Sequence, residues 1–552
     1  MNREVHQCQN CKNQFEITLD EKALYDKIGI PTPGECFKCR MQHLFAFWMF
    51  GKFRKGKSDL GGQSLITILP AKTRYPIYTS HEWFSDAWDP FSYGREYDPN
   101  RPFFEQFGEL QRQVPRPHQT GKNNFECDWC DDVWESKNCY LSRAMLNCEN
   151  LSYGYRNVDV KDSMDATYCY NVDKSYDITF CFGCHKLKHS FNSRNCLNSS
   201  FLFDCRNVQD SFMCWNLRNK QYHFFNEPLS KEEYSKKIKE YNLGSRKVVG
   251  ELKQKFEEIS REKAVHRANF NVRSETSVGN YLTNCNRCYN VFHWEDAEDC
   301  YNCIRGLRTK NCVDMAGSGM AELCGMGAMV FPGGHKTNLS SWTQDCRDSE
   351  YLDLCMECSE CFGCVGLRKK KNCILNKQCS KSEYEKLRTQ IVENMKKMGE
   401  YGEFFPYNLA YNGYNFSTAH IYFPRTKESA AASGALWDDV EDKVTDGVSP
   451  EELPDNIADA RDEITSQPLI CPKTGYRFNI APHELSFYRE MNIPLPGFHP
   501  DYRTLERFKP LNVIDSYSYK CTFCGKDTET YYPPERDYKK IACVECYQKE
   551  VA

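Results

Sequence analysis

The sequence lacks any apolar run long enough to span a membrane, which takes about 20 residues. Its first residues, MNREVHQCQNC, are polar and contain no apolar signal segment. These two absences argue against a membrane protein and predict a soluble protein located in the cytoplasm.

A strong charge imbalance and the common catalytic motifs are absent as well. The formal net charge of −4 excludes a general polyanion-binding surface, so a nucleic-acid contact would require a local basic patch. There is no Gly-x-Ser-x-Gly or His-Glu-x-x-His element, and the glycine-rich stretch Gly317–His335 lacks the Gly-Lys-Ser/Thr of a phosphate loop. The sequence therefore indicates no particular enzyme class.

What the chain has in excess is cysteine, with 32 residues. Without an export signal, metal binding and buried thiols are favoured over disulfides, because the cytosol keeps thiols reduced. Two sets of Cys-x-x-Cys pairs have the spacing of zinc ribbons, in which four thiolates surround one ion and leave no position open for catalysis. We expect two zinc ions per chain, with iron in the same sulfur cage as the alternative. The predicted ligands are Cys8, Cys11, Cys36 and Cys39 in the first ribbon and Cys521, Cys524, Cys543 and Cys546 in the last.

The two ends of the chain are copies of one module of two ribbons. At an offset of 463 residues, Cys8 aligns with Cys471 and the alignment continues without a gap to Tyr75 on Tyr538. Further matched pairs are Phe15 and Phe478, Glu21 and Glu484, Tyr25 and Tyr488, Pro31 and Pro494, Pro33 and Pro496, and Arg40 and Arg503.

Each copy of the module has lost the ligands of one ribbon. The second ribbon of the N-terminal copy and the first ribbon of the C-terminal copy carry other residues, so we expect them to be held by packing alone. A mixed site formed by Cys471 and His499 is the alternative. The substituted positions are Ser58, Gly61, Ser80 and Trp83 in the N-terminal copy and Thr474, His499 and Tyr502 in the C-terminal copy.

The middle of the chain repeats a short unit such as NVDKSY (Asn171–Tyr176), with aromatic or Met positions every 10–15 residues. These steps predict a parallel β-solenoid, with one strand and one corner per step and about two strands per coil. Asn at the corners tolerates the left-handed backbone of tight turns. We expect the solenoid cysteines to be small buried residues, and pairs such as Cys127 with Cys130 to be metal ligands in the alternative interpretation.

The solenoid is itself duplicated at an offset of 150 residues, where Cys205–Lys220 aligns with Cys355–Lys370. Both copies end in a capping box, Ser230–Glu233 and Ser380–Glu383, which predicts a helix that caps the last coil. The first helical segment is expected to reach about Asn269 with a break near Asn242–Ser245, and the second to reach about Gly399.

One segment, Lys38–Lys57, combines six Lys or Arg residues with five aromatic residues. This combination is typical of single-stranded nucleic-acid binding, in which aromatic rings stack on bases and cations contact phosphates. The alternative is that the aromatic residues fill the join between the ribbons. The candidate contacts are Arg40, Trp48, Lys52, Arg54, Lys55 and Lys57.

The fold class predicted from these patterns is mainly β with helical caps, formed by two tandem parallel β-solenoid segments flanked by two-ribbon modules. The predicted segments are the N-terminal module 1–100, a connector 101–122, solenoid 1 at 123–229, helical cap 1 at 230–270, solenoid 2 at 275–379, helical cap 2 at 380–427, an acidic flexible linker 428–468 and the C-terminal module 469–552.

The sequence resembles an uncharacterised family from ultra-small bacteria with reduced genomes, which combines a terminal zinc ribbon with a Cys-, Ser- and Tyr-rich repeat. The resemblance implies zinc-ribbon ends and a repeat middle, and it implies no activity. Relatives tend to carry Cys where this chain has Ser58, Gly61, Ser80 and Trp83. The resembling stretches are Cys8–Arg40, Tyr75–Pro90, Arg101–Gln111, Leu217–Tyr234 and Ile470–Tyr547.

The leading functional hypothesis is a non-enzymatic zinc-binding scaffold with a protein partner or a large assembly as its target. The second is an RNA- or ribosome-associated factor that binds through residues 38–57. The third is an enzyme that uses the groove of the solenoid.

Overall fold

The structure is a computed structural model that describes residues 3–439, 446–511 and 514–551. The chain divides into two compact units. Unit 1 comprises Met1–Gln119 and Asn269–Asp439, and unit 2 comprises Thr120–Ala268 and Val440–Ala552. Each unit thus combines one terminal module with one solenoid: the N-terminal module with solenoid 2, and the C-terminal module with solenoid 1.

Helices flank the solenoids and complete the ribbons. None of the helices in the described part of the chain has the length and apolar character needed to cross a membrane. The α-helices are α1 Leu19–Ile28, α2 Phe37–Ala46, α3 Ser80–Phe84, α4 Phe103–Gln113, α5 Lys231–Ile238, α6 Arg246–Glu262, α7 Lys381–Met398, α8 Thr418–Tyr422, α9 Lys427–Ala432, α10 Pro482–Glu490, α11 Pro500–Phe508 and α12 Val544–Val551.

The strands are short, and most of them belong to two sheets of twelve strands, one in each solenoid. In chain order, the N-terminal module contains β1 Arg3–Gln7, β2 Gln14–Thr18, β3 Arg54–Lys57, β4 Ser64–Thr67 and β5 Ile77–Tyr78, followed by β6 Arg116–Pro117. Solenoid 1 contains β7 Gly121–Lys122, β8 Cys130–Trp134, β9 Ser142–Leu146, β10 Glu149–Ser152, β11 Tyr155–Thr167, β12 Tyr170–Asp173, β13 Tyr176–Thr179, β14 His185–Phe191, β15 Leu197–Phe203, β16 Phe212–Trp215, β17 His223–Phe224 and β18 Glu227–Pro228.

The second half of the chain repeats this arrangement. After β19 His266–Arg267, solenoid 2 contains β20 Val278–Thr283, β21 Tyr289–Glu298, β22 Tyr301–Lys310, β23 Val313–Gly319, β24 Ala321–Glu322, β25 Gly325–Val330, β26 Gly334–Asn338, β27 Ser341–Thr343, β28 Arg347–Glu350, β29 Ser359–Phe362, β30 Lys371–Ile374 and β31 Lys377–Gln378. The C-terminal module contains β32 Leu469–Ile470, β33 Arg477–Phe478, β34 Tyr517–Lys520, β35 Asp527–Thr530 and β36 Ile541–Ala542.

The predicted mainly β architecture with tandem solenoids is confirmed, but the coil is smaller than predicted. Successive strands pair in parallel, and the side chains of Asn138 and Asn150 hydrogen-bond across a separation of 12 residues. One step of the repeat is therefore a whole coil and not half of one. The coil closes so tightly because every third residue along long stretches has a positive φ, as at Glu135, Asn138 and Leu141. Asn favours this left-handed conformation, which explains its frequency in the repeat.

Small side chains, spaced at the same interval of three residues, fill the interior of each solenoid. Ser136 shows the pattern: its hydroxyl donates to the carbonyl of Trp134 at 2.8 Å and accepts the N–H of Cys148 at 3.0 Å. Cys139, three residues after Ser136, donates its thiol to the carbonyl of Lys137 at 3.3 Å. Ser and Cys are interchangeable inside the coil because each is small and satisfies the corner carbonyl.

The last coil of each solenoid ends in an antiparallel hairpin, followed by a helix with the predicted capping box. Ser230 caps α5 and Ser380 caps α7, in both cases with a Glu three residues later that bonds back to the cap. The predicted break in the first helical segment lies between α5 and α6, and α6 begins after Ser245. Helix α6 ends at Glu262, earlier than expected, whereas α7 ends at Gly399 as predicted.

The acidic segment 428–468 is more structured than a flexible linker, at least where it is described. Residues 427–432 form α9, and 450–452, 457–459 and 462–466 form short 3-10 helices. Leu453, Ile457 and Ile464 are buried in the apolar core of the C-terminal module. Residues 440–445 lie outside the described part of the chain.

Candidate metal centres

The N-terminal cluster brings together the four cysteines predicted from their spacing. Their sulfur atoms all lie within 4.8 Å of one another. Cys8 Sγ is 3.8 Å from Cys39 Sγ, and Cys11 Sγ is 3.7 Å from Cys36 Sγ. Separations of this size match the edges of a tetrahedron around a metal ion with metal–sulfur bonds of about 2.3 Å. The first ribbon can therefore hold one metal ion with sulfur ligands only.

The C-terminal cluster has the same geometry in the second ribbon of its module. Cys521, Cys524, Cys543 and Cys546 place their four sulfur atoms within 4.8 Å of one another. Cys524 Sγ lies 3.9 Å from Cys543 Sγ, and the N–H of Cys543 donates to Cys521 Sγ at 3.3 Å. The equivalent bond in the first ribbon joins the N–H of Cys36 to Cys8 Sγ at 3.2 Å.

Backbone N–H groups favour the thiolate form of Cys521 in the C-terminal cluster. At Cys521, burial raises the pKa, but the N–H groups of Cys543, Cys524 and Phe523 outweigh it and lower the pKa to about 6. In the interior of solenoid 1 the balance is reversed, since burial raises the pKa of Cys148 to about 12. A metal ion binds the thiolate. The N–H groups around Cys521 therefore prepare this thiol for metal, whereas burial keeps the thiol of Cys148 protonated.

All four ribbons, with or without cysteines, share one backbone turn. In each, the residue at the first ligand position accepts a hydrogen bond at its carbonyl from a residue four positions later, and donates its own N–H to a carbonyl five positions later. The first bonds are Lys12 to Cys8 (3.0 Å), Gly62 to Ser58 (3.0 Å), Gly475 to Cys471 (2.8 Å) and Gly525 to Cys521 (2.9 Å). The turn therefore persists where the ligands have been lost.

In the second ribbon of the N-terminal module, a carboxylate occupies the place of the ion. Ser58, which stands where Cys521 stands, donates its hydroxyl to Glu82 Oε2 at 2.5 Å. The same oxygen accepts the N–H of Thr79 at 2.8 Å, and Glu82 also accepts the N–H of Gly61. A Cβ added at Gly61 would lie 2.4 Å from Glu82 Oε1. A cysteine at position 61, where Cys524 stands in the other module, would therefore require the side-chain ends of Glu82 and Gln63 to shift.

In the first ribbon of the C-terminal module, hydrogen bonds replace the metal. The hydroxyl of Thr474 and the N–H of His499 bond to Cys471, and they outweigh burial to lower the pKa of its thiol. His499 uses Nδ1 to accept the N–H of Asp501 at 3.1 Å, where it caps α11. Within the described ranges, no group of three or more ligating side chains includes Cys471 or His499. The thiol of Cys471 is therefore held by hydrogen bonds from Thr474 and His499, and it has no second cysteine beside it as the intact ribbons have.

The N-terminal module binds solenoid 2 through buried charges that the sequence did not reveal. Arg40 Nε lies 2.8 Å from Asp314 Oδ1, and both side chains are almost completely buried. Tyr25 donates its hydroxyl to the other oxygen of Asp314. Glu21 accepts a bond of 2.7 Å from Asn302, one coil earlier. Each charge finds a partner, as burial requires.

The C-terminal module binds solenoid 1 through the equivalent residues. Arg503, the counterpart of Arg40, places NH1 2.9 Å from Asp165 Oδ2, and Arg507 approaches Asp165 Oδ1 at 2.8 Å. Glu484, the counterpart of Glu21, accepts the hydroxyl of Tyr153, one coil before Asp165. The alignment of the two ends had already matched Glu21 with Glu484 and Arg40 with Arg503. It did not reveal that these pairs bind the solenoids.

Burial sets an unusual acidity for the two equivalent glutamates. It raises the pKa of Glu21 to about 7 and the pKa of Glu484 to about 7. Near neutral pH each carboxyl group is therefore close to half protonated, and the two docking sites share one electrostatic character.

The cysteine pairs of the solenoids do not form further metal groups among the residues described. The only clusters of ligating side chains found there are the two terminal ones. Cys127 and Cys130 both hydrogen-bond to corner carbonyls, at 3.4 Å to Phe125 and 3.2 Å to Cys139. Their role is to fill the coil.

Three of the six residues predicted to contact nucleic acid, Arg40, Trp48 and Arg54, make contacts within the protein instead. Trp48 is buried and packs with the Arg305 guanidinium 5.0 Å from its ring, and Arg40 is paired with Asp314. Arg54 donates to the carbonyls of Leu69 and Pro70 at 2.6 and 2.8 Å. Lys52 is half-buried, whereas Lys55 and Lys57 are exposed. Phe45, Phe47 and Trp48 are therefore buried by packing and not available to stack on bases, whereas Phe50 and Phe53 are half-buried.

No family model matches the sequence, and a search of curated proteins finds no match.

Proposed function

We propose that the protein is a non-enzymatic scaffold in which two structural zinc ions stiffen small modules that are fixed on β-solenoids. The observation that carries the proposal is the closed sulfur cage at each end: four cysteines lie within 4.8 Å of one another, so an ion bound there has all its positions filled by protein. A closed site of this kind contributes folding free energy and leaves no open position for a substrate.

Zinc is proposed over iron because the sites stabilise small ribbons, which need a metal of fixed charge and no redox chemistry. Iron in the same cage would change its charge with redox state and would colour the protein. The absorption spectrum of the purified protein therefore distinguishes iron from zinc.

The partner of the scaffold is proposed to be another protein or a larger assembly. The solenoids support this role because each presents a long ladder of side chains at a repeat of 12 residues, outside a filled interior. Such surfaces suit extended contacts with partners.

Metal stoichiometry tests the proposal. Native mass spectrometry of the full chain is expected to show two zinc ions before chelation and none after it. Both ribbons are expected to unfold when the ions are removed. A metal count other than two, in protein purified from zinc-containing buffer, would contradict the assignment of two structural sites.

A further inference from the structure

Unit 2 contains a cleft of about 710 Å³ that none of the unit's described residues fills. Its walls come from three parts of the unit: the face of solenoid 1, helix α6 and the proline-rich loop of the C-terminal module. A volume of this size is typical of ligand-binding pockets. The residues that matter below are Phe201, Gly250, Phe256, Pro494, Glu506 and Pro510.

The equivalent place in unit 1 is filled by a segment of the same unit. Residues 402–407, with the sequence Gly-Glu-Phe-Phe-Pro-Tyr, pack there. The N–H of Gly402 donates to the hydroxyl of Tyr351 at 2.9 Å. The ring of Tyr407 stacks on His43 at 4.2 Å, and the ring of Phe404 meets Phe47 edge-on at 5.0 Å.

The contacts of this segment fall on the positions that line the open cleft. At the offset of 463 residues, His43 corresponds to Glu506 and Phe47 to Pro510, and at the solenoid offset of 150 residues Tyr351 corresponds to Phe201. Pro31, which lies so close to Gly402 that a Cβ there would be 2.7 Å away, corresponds to Pro494. Four independent contacts thus mark one site that is filled in unit 1 and open in unit 2.

The reason for the difference lies in the chain that follows each helical cap. In unit 1, α7 ends at Met398 and the chain then runs through the site. In unit 2, α6 ends at Glu262 and the chain enters β19 at His266, only a few residues later. Helix α6 covers part of the site, where Phe256 meets Phe201 at a ring distance of 5.7 Å, and leaves the rest open.

The charged groups of the cleft are largely paired among themselves. Asp177 lies 2.6 Å from Lys253 and 2.8 Å from His189, and Asp165 binds Arg503 and Arg507. The remaining walls are mainly aromatic and proline side chains, such as Phe191, Phe498 and Pro496. Walls of this composition suit an extended apolar peptide that contains proline.

We propose that the cleft of unit 2 binds a peptide segment of a partner protein that carries two consecutive aromatic residues followed by proline, as residues 404–406 do in unit 1. This proposal rests on the scaffold function, for which it names the class of partner. The peptide would supply from outside what the chain of unit 1 supplies from within.

A labelled synthetic peptide with the sequence of residues 400–409, EYGEFFPYNL, tests this proposal against the full-length protein. Fluorescence anisotropy is expected to show saturable binding with one site per chain. A peptide with both Phe residues replaced by Ser is expected to bind at least about tenfold more weakly, because it loses the buried rings.

Gly250 offers a variant that closes the cleft without disturbing the fold. It lines the cleft on α6, and a Cβ added there meets no atom within 4 Å. Gly250→Trp should fill the space and abolish peptide binding, whereas the matched control Gly250→Ala should bind as the natural protein does. Both variants should keep two metal ions, and neither should melt below the natural protein, because each replaces a glycine inside a helix.

The outcomes separate this proposal from the scaffold function. Absence of saturable binding, or binding that Gly250→Trp leaves unchanged, would overturn the peptide site even if the protein carries its two metal ions. A metal count other than two would overturn the scaffold proposal whatever the peptide does.

Discussion

Asp165 and Asp314 hold equivalent places in the two solenoids, and each binds the arginine that ends the first ribbon of the module packed on it. They are 149 residues apart because Asp314 precedes a coil of solenoid 2 that holds 13 residues instead of 12, after which the offset is 150. Asp314 lies 2.8 Å from Arg40, and Asp165 lies 2.9 Å from Arg503. Both aspartates have a positive φ, so they project from corners of the coil. The two modules therefore share a buried ion pair, although a different ribbon in each carries the four cysteines.

Removal of one carboxylate should loosen only the module that it holds. Asp314→Asn removes the carboxylate nearest to the buried Arg40 and leaves only Glu21, at 3.9 Å. Loss of one member of a buried pair costs about 3–5 kcal/mol. Hydrogen exchange measured by mass spectrometry should show α1 and α2 opening more readily, while α10 and α11 keep their protection. Asp165→Asn should give the converse result.

An exposed pair in unit 1 provides the control. Lys72 and Asp439 lie 3.0 Å apart with 87% and 69% of their side chains exposed, so Asp439→Asn should change protection little. Equal loss of protection in both modules after either substitution would show that the aspartates act on general stability and not on docking.

The stability of unit 2 should depend on pH through Glu484. Burial raises the pKa of this carboxyl group from 4.5 to about 7 in the folded protein. Between these values the folded state holds a proton that the unfolded chain has released. The contribution is therefore complete below pH 4.5, and it is lost as pH rises through 7.

Glu484→Gln removes this titration while it keeps an oxygen for the hydroxyl of Tyr153. Relative to the natural protein, the variant should gain about 3 kcal/mol of unfolding free energy between pH 4.5 and 7.5, measured by urea unfolding. Glu490→Gln, whose carboxylate is 63% exposed, is the control. Parallel pH profiles for the natural protein and Glu484→Gln would rule out the buried titration.

Much of this architecture could be predicted from residues that follow a rigid chemical rule. The spacing of Cys8, Cys11, Cys36 and Cys39 predicts a tetrahedral site, because few other arrangements use four thiols in this way. Asn at the repeat corners predicted the left-handed backbone, as at Asn138. The size of the coil was predicted wrongly because a repeat of about 12 residues fits two structures equally well. It can be one whole small coil, as here, or one strand and its corner in a larger coil.

The contacts between distant parts of the chain could not be predicted. Arg40 was interpreted as a nucleic-acid contact because it lies in a basic segment, and only the fold brings Asp314 to it across 274 positions of sequence. Glu82 is one of many glutamates in the sequence. Its role in the second ribbon depends on the position of its carboxylate beside Ser58, which no local pattern encodes.

The carboxylate of Glu82 should stabilise the second ribbon of the N-terminal module in place of a metal. Glu82→Ala leaves the hydroxyl of Ser58 and the N–H groups of Thr79 and Gly61 without their acceptor. The expected loss of unfolding free energy is about 1–3 kcal/mol for buried groups left unsatisfied. Urea unfolding measures this loss of free energy. Hydrogen exchange in β3 and β4 shows whether the loss affects the second ribbon.

The intact ribbon at the other end supplies a matched control for this prediction. Glu545 aligns with Glu82 at the offset of 463 residues, but it is exposed beside the cysteine cluster. Glu545→Ala should change stability little, and added zinc should not restore Glu82→Ala. Restoration by zinc would mean that this ribbon binds metal after all.

The two modules should differ in which of their first-position cysteines matters for metal. Cys521 belongs to a cluster of four sulfur atoms, whereas Cys471 is bonded to the hydroxyl of Thr474 and the N–H of His499. Cys521→Ser should therefore lower the zinc content from two ions to one, and Cys471→Ser should leave two. Native mass spectrometry counts the ions directly. Loss of an ion from Cys471→Ser would show that the first ribbon of the C-terminal module has kept a metal site with ligands other than cysteine, because Thr474, His499 and Tyr502 stand at its three remaining positions.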